Sequence, residues 1–541
     1  MAPTTLWARE HVAARILAGH SLLVYRGHLL SIPQNWLHAH PGGDLALLHF
    51  IGRDATDEIE ANHQPDTLNL IPRYSIGLVE LKDGLWEPFL PPISTGWVRR
   101  PGPDGKLEWY KEAAEVYSKP KQDPTVFPSS SVLLVSNDRA STTASGPTLA
   151  NLQLPPSPLS LKQQARQSNA YRELHKRVID AGLYKTRYIT GYGPEIVRYT
   201  LLASLSAYAY AHSWFITSAV FLGLFWHQLV FTAHDLGHMG VTHAWAIDRT
   251  IATIIADFIG GLSIGWWVQN HNVHHLVTNH PSHDPDIEHL PFLAISPAFL
   301  DSLWSSYYKR TMKVDVFAKV FLSIQHKLFY VIMAFARFNL YVNSYVFLYQ
   351  KAFDTKRARG GNWAWRLEIT GIIFFWCWFG RVLYGCGSWQ MALAYLLVSH
   401  AVTSPLHVQI VLSHFSMPTG DLGPIESFPH RQMRTTTDVI CDPSIEFIHG
   451  GLHLQVTHHL FPRLPRHNLR RASELVKQFA KEEGLTYAEF GFIDGNHKVL
   501  GTLRHVAEQV KIMGKVAKVE ASEAVEKRIK ASDSRFGIAS H

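Results

Sequence analysis

The sequence predicts a chain of two parts: a small α+β domain at the N-terminus and an all-α integral membrane domain with about four transmembrane helices. Residues 1–110 carry short strand-like runs, turns and polar helices. Residues 199–234 contain no Asp, Glu, Lys or Arg, and a second apolar region over residues 369–420 is interrupted by Arg381. Because one membrane-spanning helix needs about 20 apolar residues, each apolar region has room for two.

Composition and turn residues place the boundaries of these parts. Near the N-terminus, Val24-Tyr25 followed by Arg26-Gly27 predicts a strand that leads into a turn. The segment that follows the first domain is rich in Ser, Thr and Pro, which is typical of a flexible linker. We therefore predict an N-terminal domain, a flexible linker, a membrane domain and a polar C-terminal tail over residues 1–110, 111–170, 171–490 and 491–541.

The predicted spans form two hairpins. The first turns near His212-Ser213 and the second near residues 385–387. Two further apolar stretches are interrupted by charge, so we expect them to be interfacial and amphipathic rather than spanning. Residues 251–268 contain Asp257 and several glycines, and residues 314–349 carry Lys319, Lys327 and Arg337.

Three short histidine clusters dominate the membrane domain. They read His234-Asp-Leu-Gly-His238, His271-Asn-Val-His274-His275 and Gln455-Val-Thr-His458-His459. On a helix, positions i, i+3 and i+4 share one face, so each cluster can direct its side chains to one point. Seven imidazoles and an amide exceed what one tetrahedral zinc uses, and imidazole suits iron. The clusters therefore predict an oxygen-activating di-iron site, and two span hairpins would place all three clusters on one membrane face.

Charge and cysteine content indicate the partners and the cellular environment of the protein. The net charge is +7 and the pI is about 9.1, yet no basic stripe accompanies a nucleic-acid motif, so we expect an anionic membrane surface and no nucleic acid as partner. The 16 tryptophans favour membrane–water interfaces. Three cysteines without zinc spacing indicate a cytosol-facing site, and residues 1–10 lack the apolar core of a cleaved signal peptide.

A second cofactor is indicated near the N-terminus by His40-Pro-Gly-Gly43 and, further on, His63. Two histidines on opposite walls of a crevice fill both axial positions of a haem, which then passes electrons and does not bind oxygen. The chain here resembles the cytochrome b5 family over about residues 10–95, which implies haem b with His40 and His63 as axial ligands. We expect the neighbouring His38 and His49 to be surface histidines.

The membrane domain resembles the cytochrome b5-fused membrane desaturases of the front-end type, over about residues 170–480. Gln455 stands where other desaturases carry a histidine, and this glutamine marks the front-end group. Further matching motifs are Trp266-Trp267, Asp284-Pro-Asp286, His449-Gly-Gly-Leu452, His459-Leu-Phe-Pro462 and Arg463-Leu-Pro-Arg-His467.

The resemblance implies a set of iron ligands. It also implies an isolated ligand histidine after the fourth span; His414 fits that place, with a capping or core role as the alternative. The implied ligands are His234, His238, His271, His274, His275, His414, His458 and His459, with Gln455 weaker or one shell further out. Asp235, Asp284 and Asp286 either orient ligand rings or are ordinary polar residues. Six off-pattern histidines are expected not to bind metal: His243, His280, His283, His289, His449 and His453.

The implied activity is O₂-dependent desaturation of a lipid chain. The runs Cys441-Asp-Pro-Ser-Ile-Glu-Phe447 and Leu452-His-Leu-Gln-Val-Thr-His458 look most like fungal sphingolipid 8-position desaturases, which act on the long-chain base of ceramides. The family implies two iron ions, haem b, NADH acting through NADH-cytochrome b5 reductase, and a multi-pass location in the endoplasmic reticulum membrane with the histidines facing the cytosol.

Several alternatives remain open at this level. Two alternatives would use the same di-iron site: a front-end acyl-lipid or acyl-CoA desaturase, for example at the 6-position, and a di-iron membrane hydroxylase. Alternatives from other functional classes are a membrane metal transporter, a haem-based sensor and a stand-alone electron-transfer protein. A transporter would need ionisable residues within its spans and gives no reason for the haem domain.

Overall fold

The computed structural model describes residues 5–102, 104–112, 146–354 and 361–535, with side chains as far as residue 529. Its N-terminal domain combines a four-stranded sheet with short helices. The strands are β1 Leu6–Trp7, β2 Ser21–Tyr25, β3 His28–Ile32 and β4 Ser75–Val79. The helices are α1 Arg9–Leu17, α2 Gln34–Leu37, α3 Leu45–Leu48, α4 Thr56–Asn62 and α5 Pro65–Leu68. In the sheet order β1-β4-β3-β2 only the β1–β4 pair is parallel, which confirms the predicted α+β domain.

The turn between β2 and β3 is the one predicted from Arg26-Gly27. Both residues have left-handed backbone angles, with φ of 50° and 75°. A two-residue hairpin loop prefers positive φ at both positions because this matches the twist of the flanking strands. Val24 and Tyr25 lie in β2, so the predicted strand and turn are both confirmed.

A hairpin follows the N-terminal sheet along the chain, and a helix precedes the membrane helices. The hairpin consists of β5 Trp97–Pro101 and β6 Leu107–Lys111. Of the predicted linker, residues 113–145 lie outside the described residues. Further along it, Leu152 is buried in the core of the N-terminal domain, and helix α6 spans Leu161–Asp180.

The membrane domain is mainly helical, as predicted, and its part up to residue 415 contains one short strand pair. Its helices are α7 Gly193–Ala211, α8 Phe215–Gly237, α9 Trp245–Thr253, α10 Ile264–Leu276, α11 Val316–Ala352, α12 Gly361–Tyr384, α13 Trp389–Ala401 and α14 Ser404–Phe415. The strands of the pair are β7 Trp304–Ser305 and β8 Arg310–Thr311.

Four helical segments in the described part of the chain are long and apolar enough to cross a membrane: Phe215–Gly237, Val316–Ala352, Gly361–Tyr384 and Trp389–Phe415. The number agrees with the prediction, but the set does not. Helix α11 qualifies although we expected it to be interfacial, and α7, in the first half of the first predicted hairpin, does not.

Length and apolar composition decide which helices qualify, and the charged side chains of α11 and α7 have different surroundings. In α11 the buried Arg337 donates to the carbonyl of Gly260 at 2.7 Å, and its guanidinium carbon lies 4.4 Å from the ring centroid of Trp226. The charge is therefore satisfied by protein, and much of the rest of the helix surface is apolar. Helix α7 instead carries Glu195 and Arg198 near its start.

The second interrupted stretch, residues 251–268, forms a sharp bend. Trp245–Ile259 and Ile264–Leu276 meet at 113°, as in a broken span or a re-entrant loop. The last residues of the first arm, Ile254–Ile259, are π-helical. The second arm is α10, which carries the second histidine cluster.

The C-terminal part, residues 428–535, follows the membrane helices and packs near their histidine-bearing ends. It contains α15 Phe428–Thr435, α16 Glu446–His449, α17 Gln455–Leu460, α18 Leu469–Glu483 and α19 Phe492–Arg535. Strand β9 Asp438–Ile440 pairs in parallel with β10 Glu489–Gly491. The first half of α19, within the predicted polar tail, buries Val499, Leu503 and Val506 in a core shared with α11 and α14.

Candidate active site

Eight histidines from four helices converge where the membrane helices meet the C-terminal part. His234 and His238 lie at the end of α8, three more lie on α10, His414 lies near the end of α14, and two lie on α17. Two groups made of histidines alone could each hold a metal ion, because one ligand atom from every member lies within 4.8 Å of the others, and a third group combines His271 and His274 with Asp286. The first group contains His234, His238, His271 and His458, and the second contains His274, His414 and His459.

His275 joins the two groups. Its Nε2 lies 3.1 Å from Nε2 of His271 and 3.1 Å from Nε2 of His458, both members of the first group. Its ring also stacks on that of His459, a member of the second, with centroids 4.1 Å apart. Gln455 begins α17, is buried, and stands three residues before His458, so it lies on the same helix face.

The donor set fits buried metal ions. Several ring nitrogens are buried without a hydrogen-bond partner among the described residues: Nε2 of His238, Nδ1 of His275, Nδ1 of His414 and Nε2 of His459. A buried polar atom without a partner costs free energy, so this concentration of bare imidazole nitrogens indicates a missing electrophile. Neutral imidazole nitrogens are good ligands for iron and other transition metals.

Carboxylates contact the Nδ1 atoms of several of these rings. Asp284 accepts a hydrogen bond from Nδ1 of His274 at 2.9 Å, and Asp286 accepts one from Nδ1 of His271 at 3.3 Å. Asp235 lies 3.4 Å from Nδ1 of His234 and also accepts from the Tyr192 hydroxyl at 2.7 Å. Such outer hydrogen bonds fix which ring nitrogen keeps its lone pair. The three aspartates thus occupy the positions that ring-orienting carboxylates require.

The N-terminal domain forms a crevice between His40 and His63. The two ring centroids are 6.1 Å apart, close to the separation of about 6 Å expected when each imidazole places a nitrogen about 2 Å from a shared metal. Nδ1 of His40 lies 3.0 Å from the carbonyl of Gly43, and Nδ1 of His63 lies 2.9 Å from that of Ile59. A carbonyl can only accept, so both Nδ1 atoms are protonated and both Nε2 atoms keep their lone pairs.

Burial keeps these two rings neutral. It lowers the pKa of His40 to about 4 and also lowers the pKa of His63. A neutral imidazole is the form that ligates a metal. Two neutral histidines facing each other across an apolar crevice fit the axial positions of a haem.

Comparison with known proteins decides the family. Residues 211–491 match the model of the Fatty acid desaturase family, and residues 9–80 match the Cytochrome b5-like Heme/Steroid binding domain. The chain belongs to the fatty acid desaturases. It is the cytochrome b5-fused kind, and hence an oxidoreductase.

Relatives extend along almost the whole desaturase. A Delta 8-(E)-sphingolipid desaturase of Emericella nidulans is 42% identical over 96% of this chain and 98% of its own length. One from Komagataella phaffii is 42% identical over 94% of both chains. A Delta(8)-fatty-acid desaturase of Helianthus annuus is 36% identical over 64% of this chain and 74% of its own length.

These two families imply the cofactors. A haem belongs to the cytochrome b5 domain and a pair of iron ions to the desaturase domain. The bare nitrogens among the eight converging histidines fit the iron pair, and the His40–His63 crevice fits the haem. With four candidate spans, the desaturase is a multi-pass membrane protein.

The haem crevice opens directly onto the desaturase domain. One cavity of about 630 Å³ is lined by both domains. His40, Gly42 and His63 contribute from the haem domain, and His238 and Asn272 from the desaturase domain. A Cβ atom placed on Gly42 would lie 3.4 Å from Nδ2 of Asn272. Helix α10 therefore presents its histidines to the iron site and Asn272 to the haem crevice.

Specific contacts hold the haem domain in this position. Arg463 donates to the carbonyl of His63 at 2.7 Å, and Arg172 on α6 contacts Asp57 on α4 at 2.6 Å. On another side, His49 lies 3.3 Å from the Ser306 hydroxyl and is only 3% exposed. The expectation that His49 is a surface residue is therefore wrong, because it faces the desaturase domain, whereas His38 is exposed as expected.

The six off-pattern histidines make other contacts. Within the described residues, none of them belongs to a set close enough to share a metal ion. His243, for example, has its two ring nitrogens 2.8 Å from the carbonyls of Met239 and Tyr184. His280 and His283 stack at 4.0 Å, and His283 also contacts His49 at the domain interface.

Two features of the site were missed by sequence reasoning. Gln432 on α15 hydrogen-bonds to His459 although it belongs to no recognised motif. Glu368 on α12 caps the N-terminus of α10, more than 100 residues away in sequence. A buried acid inside an apolar helix was a usable signal for Glu368, whereas nothing local distinguishes Gln432.

Proposed function

We propose that the desaturase introduces a trans double bond at position 8 of the sphingoid long-chain base of ceramides. The observation that carries this proposal is the similarity to Delta 8-(E)-sphingolipid desaturases over almost the whole chain, including both cofactor domains. In the proposed reaction one CH₂–CH₂ pair loses two hydrogens. The reaction also consumes one O₂, two electrons and two protons, and together with the two hydrogens these form two waters.

The ligand roles are part of the proposal. We assign one iron to His234, His238, His271 and His458, and the other to His274, His414 and His459. His275 lies between the two groups, and Gln455 is an additional or more distant ligand on α17. The capping alternative for His414 is less favourable, because its Nδ1 is buried without a partner among the described residues.

The bound iron pair would supply the O₂ chemistry needed to remove hydrogens from unactivated carbon, which side-chain acids and bases cannot do. The chain's own residues orient and seal the site. Asp284 and Asp286 hold His274 and His271 in position. Trp267 stacks on His271 at 4.5 Å and packs on His234 and His238, where it excludes water from the first group.

Electrons are proposed to reach the site through the fused haem domain. His40 and His63 would hold the haem, which would supply electron transfer without binding O₂. NADH is the proposed source, acting through NADH-cytochrome b5 reductase as a separate partner. We place the protein in the endoplasmic reticulum membrane, with the haem domain and histidines on the cytosolic side.

A second substrate class is a fatty acyl chain. The relative from Helianthus annuus is named as a Delta(8)-fatty-acid desaturase, and its similarity to this chain favours this alternative. An acyl substrate would leave the site and the electron supply unchanged. The identity of the lipid therefore has to be decided by product analysis, which also separates desaturation from hydroxylation.

Expression in a host that lacks the activity tests the proposal. The host would carry either the intact chain or His271→Ala, and mass spectrometry would profile its long-chain bases and fatty acids. We expect a new long-chain base with an additional 8-position double bond from the intact chain alone. A new unsaturated acyl chain would replace the proposed substrate with the alternative, and a hydroxylated lipid would overturn desaturation.

A further inference from the structure

Gln432 lies between the second and third histidine clusters without belonging to either. It sits on the short helix α15 and is completely buried, with 0% of its surface exposed. A buried side-chain amide is costly unless its donors and acceptor are satisfied. Its partners therefore indicate what the residue does.

The amide of Gln432 connects the two clusters. Its Nε2 donates to the backbone carbonyl of His275 on α10 at 2.7 Å. Its Oε1 accepts from Nδ1 of His459 on α17 at 3.0 Å and from the Thr278 hydroxyl at 3.2 Å. If the amide were reversed, its Oε1 would face the His275 carbonyl oxygen, and neither atom could donate a hydrogen bond. The His275 carbonyl therefore decides the orientation of the amide.

This orientation determines the state of His459. Because Oε1 can only accept, Nδ1 of His459 must carry the proton, and Nε2 then keeps its lone pair. That Nε2 is buried and has no hydrogen-bond partner among the described residues. His459 also lies in the group with His274 and His414, so its bare nitrogen faces a possible metal position.

We propose that Gln432 is a positioning residue of the di-iron site, which sets the tautomer of His459 and ties it to α10. The inference rests on the proposed iron site and adds a residue to it. Outer hydrogen bonds of this kind typically change metal affinity by about 10–100-fold when they are removed. Loss of the Gln432 amide should therefore weaken iron binding without disturbing the haem.

Gln325 offers a matched control. It too is completely buried, and it also makes three hydrogen bonds: Oε1 accepts from the Ala294 N–H at 2.8 Å, and Nε2 donates to the carbonyls of Ala294 at 3.0 Å and Leu503 at 2.8 Å. None of these partners belongs to a histidine cluster. Replacing either glutamine by leucine removes the same groups, but only Gln432 touches a proposed ligand.

The experiment compares Gln432→Leu, Gln432→Glu and Gln325→Leu with the unaltered full-length chain, each purified with its haem. Iron and haem per protein, the concentration of Fe²⁺ needed for half-loading, and the Mössbauer spectrum are measured. For Gln432→Leu we expect about 10–100-fold weaker iron loading at full haem content. Gln432→Glu keeps the acceptor for His459 but loses the donor to His275, so its iron loading should lie between those of Gln432→Leu and the unaltered chain.

The outcomes separate this inference from the proposed function. Unaltered iron loading in Gln432→Leu, or an equal loss in both leucine variants, would overturn the role of Gln432. If Gln432→Leu does not fold, the nearly isosteric Gln432→Glu decides: a Mössbauer spectrum identical to that of the unaltered chain overturns the inference, and a change in the signal of one iron supports it. An unaltered chain that binds no iron would instead overturn the proposed iron site itself.

Discussion

At the scale of single residues, the site depends on hydrogen bonds that lie behind the proposed ligands. Backbone carbonyls accept from Nδ1 of His40 and His63, and Asp284 accepts from Nδ1 of His274. In each case the partner behind the ring determines which nitrogen faces the cofactor position. The same arrangement thus recurs at both proposed cofactor sites.

Asp284 is the strongest test at this scale. It is 0% exposed and, besides His274, accepts from the backbone N–H groups of Asn279 at 2.7 Å and Asp286 at 2.9 Å. We expect Asp284→Asn to weaken iron loading by about 10–100-fold, because a neutral amide is a poorer partner for the His274 ring. Iron and haem per purified protein measure this.

Asp442 is the control for this substitution. It makes a similar turn, accepting from the Ser444 N–H at 2.9 Å and from the Ser444 hydroxyl, but it is exposed and neither of these bonds involves a histidine. Asp442→Asn should leave iron content unchanged. Full iron content in Asp284→Asn would show that this carboxylate does not support a ligand.

At the scale of elements, α10 is held firmly at the end opposite its histidines. Glu368 accepts from the Gly265 N–H at 3.1 Å and from the Ser263 hydroxyl at 2.5 Å, and it pairs with Arg249. Asp257 accepts from the Ile264 N–H at 3.3 Å. Helix N-termini have unsatisfied N–H groups and a positive dipole end, so two buried carboxylates there fix the helix in position.

Removing Glu368 should loosen this helix. Breaking a buried ion pair by deleting one partner costs about 3–5 kcal/mol, because the other charge stays buried. We therefore expect Glu368→Leu to lower the thermal unfolding temperature and iron content together, while Glu368→Gln, which retains an acceptor, should lose less. Thermal unfolding in detergent and metal analysis measure both quantities.

An exposed pair provides the comparison for Glu368. Lys477 and Glu489 lie 2.5 Å apart at the surface, with side chains 45% and 43% exposed. Surface pairs contribute at most about 1 kcal/mol, so Glu489→Gln should have little effect on either measurement. If Glu368→Leu behaves like Glu489→Gln, the capping role is wrong.

At the scale of the whole molecule, the haem domain is docked on the desaturase domain with its crevice turned toward α10. Val273 on α10 and Val277, which directly follows this helix, share a core with Leu45 and Ile93. Arg172, just beyond the predicted linker, pairs with the buried Asp57 of the haem domain. The position of the haem domain is thus set by packing and charge as well as by its covalent connection.

A charge swap across this interface tests the docked arrangement. Arg172→Glu would face Asp57 with a like charge, and we expect roughly a tenfold loss of product per haem, equivalent to about 1.4 kcal/mol, at unchanged haem and iron content. Adding Asp57→Arg should restore part of the activity. Product formation by the purified protein with a saturating reductant is the measurement.

Arg166, on the same helix, is the control for the swap. It pairs with Glu483 at 3.1 Å, and both residues belong to the desaturase side of the interface. Arg166→Glu should leave product per haem unchanged. Equal losses in the Arg166 and Arg172 variants would contradict a specific role for docking.

Several features were predictable because their signals are local. The α+β haem domain, the Arg26-Gly27 turn and the helical membrane domain follow from short patterns of turn residues, apolar runs and histidine spacing. Predictions that depend on distant neighbours were less successful. His49 is buried because another domain covers it, and the charge of Arg337 inside α11 is satisfied by Trp226 and the carbonyl of Gly260, both distant in sequence.

By itself the sequence determined the α+β and helical parts of the chain, their cofactor classes and the histidines that cluster, since spacings of three and four residues act within one helix turn. Tertiary structure alone decided how those histidines divide into two groups, which outer residues hold them, and where the haem crevice faces. These features join segments more than 100 residues apart, such as His275 with Gln432, and contacts of that kind depend on packing that no local pattern specifies.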